Sequence, residues 1–182
     1  EWSCTVRPSV VKESDIELFQ LMKKSGCSSI MCGFETGCDE VLKSIKGPDA
    51  SVAKNELTLR LAHQAGLGVF GFFICGIYGE TEEQMLMTGE FIKKHLNEMH
   101  LVELFIYTPF PGSDMHKCVS DAGLLDGITM DDLSGNNVVF GNAITFNPLV
   151  STDKIVGFRK QIRRLTMNRH SLRDKVRWLR AN

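Results

Sequence analysis

Three stretches of this sequence, Ser28 to Phe34, Gly68 to Ile77 and Val102 to Tyr107, are apolar on both faces and lack the alternation of a half-solvated strand. Helical patterns lie between them. A strand apolar on both sides must be covered on both sides. Such strands alternating with helices predict a parallel sheet of βαβ units. Trp2 to Arg7 reads as a shorter first strand. Strand starts near residues 2, 28, 68 and 101 repeat every 33 residues or so, with each crossover right-handed. That rhythm suits a (β/α) barrel or a doubly wound sheet.

The connecting segments carry their own punctuation. Ser14 with Glu17 has capping-box spacing for a helix ending near Ser25, with Ile16, Phe19 and Met22 on one face and Gly26 beyond its end. A short helix from Asp39 to Ile45 stops at Gly47-Pro48. Asp49 or Ser51 caps a helix through Ala65, closed by Gly66. Thr81 and Gln84 form a second capping-box pair, opening a helix to about Leu96. Pro109-Phe110-Pro111-Gly112 ends the fourth strand, and Asp114 to Ala122 follows as a helix. Residues 124–149 read as loop or short turns. Ser151 or Thr152 caps a helix to about Asn168, with Ile155, Phe158, Ile162 and Leu165 on one face. A basic helix is expected near Leu172 to Arg180.

Composition adds limits. The chain has 182 residues, 43% hydrophobic and 24% charged, which excludes collagen-like, disordered and coiled-coil classes. Its longest apolar run, Leu67 to Tyr78, is too short and glycine-rich to span a membrane. It opens at Glu1 directly into an apolar segment, which predicts further polypeptide upstream. Residues 153–182 carry ten Lys or Arg against two Asp, whereas the remaining 152 residues carry eleven basic and twenty acidic side chains. A basic tail suits nucleic acid, anionic lipid or an acidic partner, and equally a solvated helix docked on its own acidic body. Cys4, Cys27, Cys32, Cys38, Cys75 and Cys118 form no CxxC pair and no common metal spacing. They read as reduced, mostly buried thiols, which predicts a cytoplasmic protein.

In parallel α/β folds ligands meet the C-terminal strand ends. Here those ends are Arg7, Gly33-Phe34-Glu35-Thr36-Gly37, Gly76-Ile77-Tyr78-Gly79-Glu80-Thr81 and Tyr107-Thr108-Pro109. No Walker loop, GxGxxG strand–helix turn, HExxH or nucleophile elbow is present. The five His have no ligand spacing. The residues offer a ligand pocket without a catalytic set, so no residue is singled out as catalytic or as a metal ligand.

Gly26-Cys-Ser-Ser-Ile-Met-Cys-Gly-Phe-Glu-Thr-Gly37 with Asp39 to Gly47 resembles the fourth strand and following helix of radical S-adenosylmethionine (radical SAM) enzymes, of MiaB/Elp3-like or cobalamin-binding type. Phe70 to Thr81 resembles their fifth strand and Gly-Leu-Pro-Gly-Glu-Thr turn. Tyr107 to Ser113 resembles the end of the sixth, and Trp2 to Arg7 fits the third. The order holds over residues 1–125. The resemblance implies a partial (β/α) barrel of about four β/α units, residues 1–125, with a loop and basic helical extension, residues 126–182. It implies a 4Fe-4S cluster and S-adenosylmethionine as cofactors, with cobalamin as a further candidate, and a radical that abstracts substrate hydrogen.

Carried onto this sequence, the resemblance places Glu35 near the ribose or methionine part of the cofactor, Ile74 and Gly76 beside the adenine, and Arg7 at a basic rim position. Tyr107 and Thr108 line the same mouth. Each has a plainer alternative: Glu35 as a rim residue capping the Asp39 helix region, Arg7 as an ion pair with Glu35, Ile74 and Gly76 as strand packing, Tyr107 and Thr108 as packing under Pro109. Glu80 is expected at the N-terminus of the next helix. The cluster-binding CxxxCxxC is absent, and Tyr78 replaces the usual Pro. The expectation is therefore a segment inactive by itself, completed by an N-terminal part of the same polypeptide, with a small-molecule or RNA substrate and the oligomeric state open. Competing readings are a truncated ordinary (β/α) barrel enzyme, disfavoured because no Lys or His ends a strand, and a non-catalytic interaction module.

Overall fold

The computed structural model describes residues 1–135 and 144–167. Strands β1 (Trp2–Val6), β2 (Cys27–Glu35), β3 (Gly68–Cys75) and β4 (Leu101–Ile106) form one parallel sheet in the order β1-β2-β3-β4. The helices are α1 (Ile16–Lys24), α2 (Asp39–Lys46), α3 (Val52–Ala65), α4 (Glu82–His95), α5 (Asp114–Asp121), α6 (Met130–Gly135) and α7 (Thr152–Met167). Two 3-10 turns, Pro8–Val10 and Glu13–Asp15, lie between β1 and α1. Each strand pairs with the next in sequence, so the described strands contain no switch point, and their order is that of a partial (β/α) barrel.

Local chemistry explains most boundaries. Ser51 Oγ accepts from the Lys54 N–H at 3.2 Å and starts α3, which ends at Gly66 in the left-handed region. Thr81 and Gln84 form the reciprocal capping box expected for α4, at 3.2 and 3.0 Å. The Ser14–Glu17 box does not form. A 3-10 turn precedes α1 instead, and the Asp15 carboxylate accepts from the Lys12 N–H at 2.9 Å. The segment read as loop contains α6, started by the Thr129–Asp132 side-chain and backbone pair and anchored by buried Leu133. The basic helix expected near residues 172–180 lies outside the described residues.

One face of the sheet carries Ile30, Cys32, Phe34, Val69, Phe73, Cys75, Leu104 and Ile106 into the main core. Leu59 and Ala62 of α3, Met85 and Ile92 of α4, and Ile155, Phe158 and Ile162 of α7 meet them there. The C-terminal helix is thus part of the same core as the sheet. The opposite face is largely open among the described residues: Thr5, Glu103 and Phe105 are exposed, and Met31, Gly33, Phe72 and Ile74 are half-buried. Accordingly β4 alternates, with Val102, Leu104 and Ile106 buried between exposed Glu103 and Phe105, instead of being apolar on both faces as expected. Among the described residues no helix is long and apolar enough to cross a membrane.

Candidate functional site

At the C-terminal end of β2 the backbone leaves regular geometry. The β2–β3 register slips between Gly33 and Glu35. Glu35 has φ of +64°, the only positive value among the described non-glycine residues. The Thr36 N–H bonds back to the Phe34 carbonyl at 2.8 Å, closing a three-residue γ-turn with Glu35 at its centre. The same carbonyl accepts from Asn55 Nδ2 at 3.0 Å, a buried side chain of α3. A bulge of this kind re-aims a side chain. A positive φ at a glutamate costs about 1–2 kcal/mol and persists only where its surroundings enforce it.

The carboxylate so aimed lies over Gly33, where a Cβ on that glycine would meet it. It is paired with Lys46 Nζ at 2.6 Å, from the last turn of α2. The alternative of an Arg7–Glu35 ion pair is not the one formed. Arg7 instead donates from Nε to Ser9 Oγ at 2.9 Å and from Nη2 to the Lys46 carbonyl at 3.5 Å. Arg7, Glu35 and Lys46 nevertheless gather at one corner of the strand ends.

Helix α2 joins this corner to an apolar patch. Its Val41 and Ile45 pack with Cys38, Ile74, Ile77, Tyr107 and Met115. The turn that delivers α2 is fixed by threonines: Thr36 and Thr88 hydroxyls lie 2.9 Å apart, and Thr88 Oγ1 also accepts from the Gly37 N–H at 3.0 Å. Gly37 lies against α4 so closely that a Cβ would come within 2.5 Å of the Met87 carbonyl oxygen.

The turn after β3 is closed internally. Glu80 is 2% exposed. Its Oε2 accepts from the Gly76 and Ile77 N–H groups at 2.7 and 3.1 Å, while Oε1 is buried without a partner. Burial pushes the Glu80 carboxyl up to about 7, and those two N–H bonds pull the other way. Glu80 therefore braces the turn from within. Gly76, with φ of +72°, has its open side filled by Ile155, whose Cγ2 would lie 2.9 Å from an added Cβ. Tyr107 connects the patch at α2 to a second cluster around Val119, Leu133 and Phe146. Its hydroxyl is buried and unpartnered, and desolvation, with Cys118 nearby, pushes it up to about 12. Thr108 follows it, also buried.

The cysteines do not build a metal centre. All six are free, and no group of three His, Cys, Asp or Glu suited to a metal gathers among the described residues. Burial, with Cys4 beside it, pushes the Cys32 thiol up to about 12, and burial raises Cys75 as well. Such thiols resist becoming the thiolates a cluster requires. The residues described do not fit a 4Fe-4S cluster, whereas the corner of Arg7, Glu35 and Lys46 brings charges of both signs beside the apolar α2 patch. A separate cavity of about 510 Å³ between α3 and α4 is lined by none of the candidate residues. The Glu56–Lys94 ion pair at 2.7 Å and the His95–Glu56 hydrogen bond at 3.2 Å cross it.

The sequence model of the Radical SAM superfamily matches residues 2–92, half of the chain and the whole of β1 to α3 and β3 with most of α4. The chain belongs to the radical SAM superfamily. Bacteriochlorophyllide d C-12(1)-methyltransferase of Chlorobaculum tepidum is 24% identical over 120 residues, covering 66% of this chain and 25% of that protein. An uncharacterised methyltransferase of Pyrococcus horikoshii is 28% identical over 112 residues, 62% of this chain and 23% of its own length. The fold matches the radical S-adenosylmethionine methyltransferase TsrM from Kitasatospora setae, solved with cobalamin and a 4Fe-4S cluster bound. The TM-score is 0.52 at 19% identity, over 68% of this chain and 23% of that one. The chain spans about a quarter of the length of the curated relatives it matches.

Radical SAM membership places the chain in a family that uses S-adenosylmethionine and a 4Fe-4S cluster, and both of these curated relatives are methyltransferases. Of the six radical SAM positions read from sequence, Arg7 and Glu35 meet at the Lys46 corner, and Ile74 and Tyr107 meet in the α2 patch. Gly76 adjoins that patch through Ile77 but faces Ile155. Lys46, Asn55 and Thr88 were not legible. Lys46 was visible only as a helix-terminal lysine, and Asn55 and Thr88 as polar interruptions of helix patterns.

Proposed function

We propose that this chain supplies later strands of a radical SAM barrel and lines part of the S-adenosylmethionine and substrate pocket of a methyltransferase-type enzyme, being inactive alone. The observation that carries this reading is Glu35. A strained backbone, a register slip and three supporting hydrogen bonds or ion pairs aim one carboxylate at the strand-end rim. A carboxylate there accepts from ribose hydroxyls or from an ammonium. Arg7 is suited to the methionine carboxylate and Ile74 to the adenine face. Gly76 contributes through the turn it allows, and Tyr107 with Thr108 completes the mouth. S-adenosylmethionine supplies the methyl or 5′-deoxyadenosyl group of this family's reactions.

Among the described residues the sheet face is open and the outer edges of β1 and β4 carry no further strand, which supports completion by an N-terminal part of the same polypeptide, bearing the cluster ligands. In this reading residues 1–125 are the barrel portion and residues 126–182 the extension. Cobalamin is a candidate second cofactor, because the TsrM structure holds it. The substrate is a small molecule or an RNA. Free thiols suit a reducing, cytoplasmic setting. Anaerobic reconstitution with iron and sulfide tests the reading. The natural polypeptide carrying this segment is expected to bind four iron atoms and S-adenosylmethionine, and this chain alone no stoichiometric cluster. A stoichiometric cluster on the chain alone, or a natural polypeptide without one, refutes the proposal.

A further inference from the structure

The β3–α4 turn is held from outside as well as from within. Asn147, in the segment before α7, is buried. Its Nδ2 donates to the Ile77 and Glu80 carbonyls, both at 2.7 Å. Its Oδ1 accepts from the Leu149 and Val150 N–H groups at 2.7 and 3.1 Å. An asparagine amide has two donor hydrogens and two acceptor lone pairs, and all four are used here. The partners also fix the orientation of the amide, since carbonyls face its nitrogen and N–H groups its oxygen. Eight residues on, Ile155 of α7 fills the open side of Gly76. The turn is thus gripped at Gly76, Ile77 and Glu80 by one short stretch of chain about seventy residues away.

We infer that Asn147, backed by Ile155, is a positioning residue for the cofactor: it sets the β3–α4 turn against which S-adenosylmethionine binds. The inference rests on the reading of Ile74 and Gly76 as cofactor neighbours. It makes the C-terminal extension a part of the cofactor site. Aspartate would set a carboxylate against two carbonyl oxygens, and alanine would take this partner from the Glu80 carbonyl and two N–H groups, leaving the Ile77 carbonyl only its bond from the Glu80 N–H.

The test uses the natural polypeptide carrying this segment, loaded with its cluster. In Asn147→Asp and Asn147→Ala, the Kd for S-adenosylmethionine is expected to rise about tenfold or more, because a displaced turn misplaces the ligand. The Gly76 and Ile77 amides are expected to exchange hydrogen faster, and kcat at saturating cofactor to change less than KM. Val69→Ala, a core change on β3 outside the turn, is expected to lower Tm without weakening the affinity. Unchanged affinity in both Asn147 variants, or equal weakening in Val69→Ala, overturns the inference. Asn147→Ser, which puts one shorter hydroxyl in place of the amide, carries the same expectation where the other two do not fold. A wild-type protein that binds no S-adenosylmethionine overturns the cofactor reading and this inference together. A wild type that binds it, with Glu35→Ala weak and the Asn147 variants normal, overturns this inference alone.

Discussion

Replacing Glu35 by glycine separates the two things this residue does. The wild-type backbone holds φ of +64°, a penalty of about 1–2 kcal/mol for an L side chain that glycine does not carry. Against that relief, glycine adds about 0.5–1 kcal/mol of unfolded-state entropy. The ion pair with Lys46 is also lost. The Lys46 side chain is 39% exposed, so solvent screening discounts the pair to about 1 kcal/mol or less. These terms nearly cancel. The stability of Glu35→Gly is expected within about 1 kcal/mol of wild type, a Tm change of roughly 4 °C at most for a chain of this size. Glu35→Ala keeps the strain and loses the pair, so it is expected to be no more stable than the glycine variant. Binding behaves differently. A charge-assisted hydrogen bond from the carboxylate is worth about 1.5–3 kcal/mol, which is roughly 10- to 150-fold in Kd. Calorimetric unfolding and equilibrium binding of S-adenosylmethionine to the natural polypeptide check the two halves. A glycine variant that loses more than about 3 kcal/mol would make Glu35 a structural keystone and refute the strain argument. A folded glycine variant with wild-type affinity would remove Glu35 from the site.

Three further outcomes follow from particular contacts. Gly37→Ala places a Cβ 2.5 Å from the Met87 carbonyl oxygen and is expected to cost about 1–3 kcal/mol, as other overpacked contacts do, read as a lower urea midpoint. Glu80 has its folded-state value raised from 4.5 to about 7, so its stabilising contribution is complete below about pH 4.5 and declines as pH rises to 7 and slightly beyond. At about 1.4 kcal/mol per pH unit, the loss is on the order of 3 kcal/mol; Glu80→Gln, with no charge to bury, should abolish that component in urea titrations at pH 5 and pH 8, and an unchanged slope would refute the assignment. Lys46→Met leaves Glu35 unpaired at the rim and is expected to change Tm by no more than a few degrees while altering the salt dependence of S-adenosylmethionine affinity, measured between low and high ionic strength.

The parallel α/β order, most helix starts and the strand-end positions of Arg7, Glu35, Gly76 and Tyr107 were legible because they follow from local rules. Hydrophobic period identifies strands and helices, and Ser51, Thr81 and Gly66 punctuate them through bonds within a single turn of chain. Ser14 failed as a cap because the chain used Asp15 in a tighter turn, a choice between adjacent acceptors that spacing does not decide. Residues 130–135 became helical because Leu133 found Val119 and Phe146 to pack on, which polar loop composition concealed.

The candidate site follows the same division. That Glu35 ends a strand is a property of the sequence. That it sits at positive φ, pairs with Lys46 rather than Arg7, and lies over Gly33 depends on α2 and α3 returning to the same rim. The open side of Gly76 belongs to Ile155, and the turn behind it to Asn147, residues some seventy to eighty positions away. Sequence alone determined which residues reach the strand ends, because strand direction and side-chain alternation are backbone properties. Tertiary structure alone decided their partners, because an ion pair or a filled cleft depends on distance in space, which local propensity does not encode.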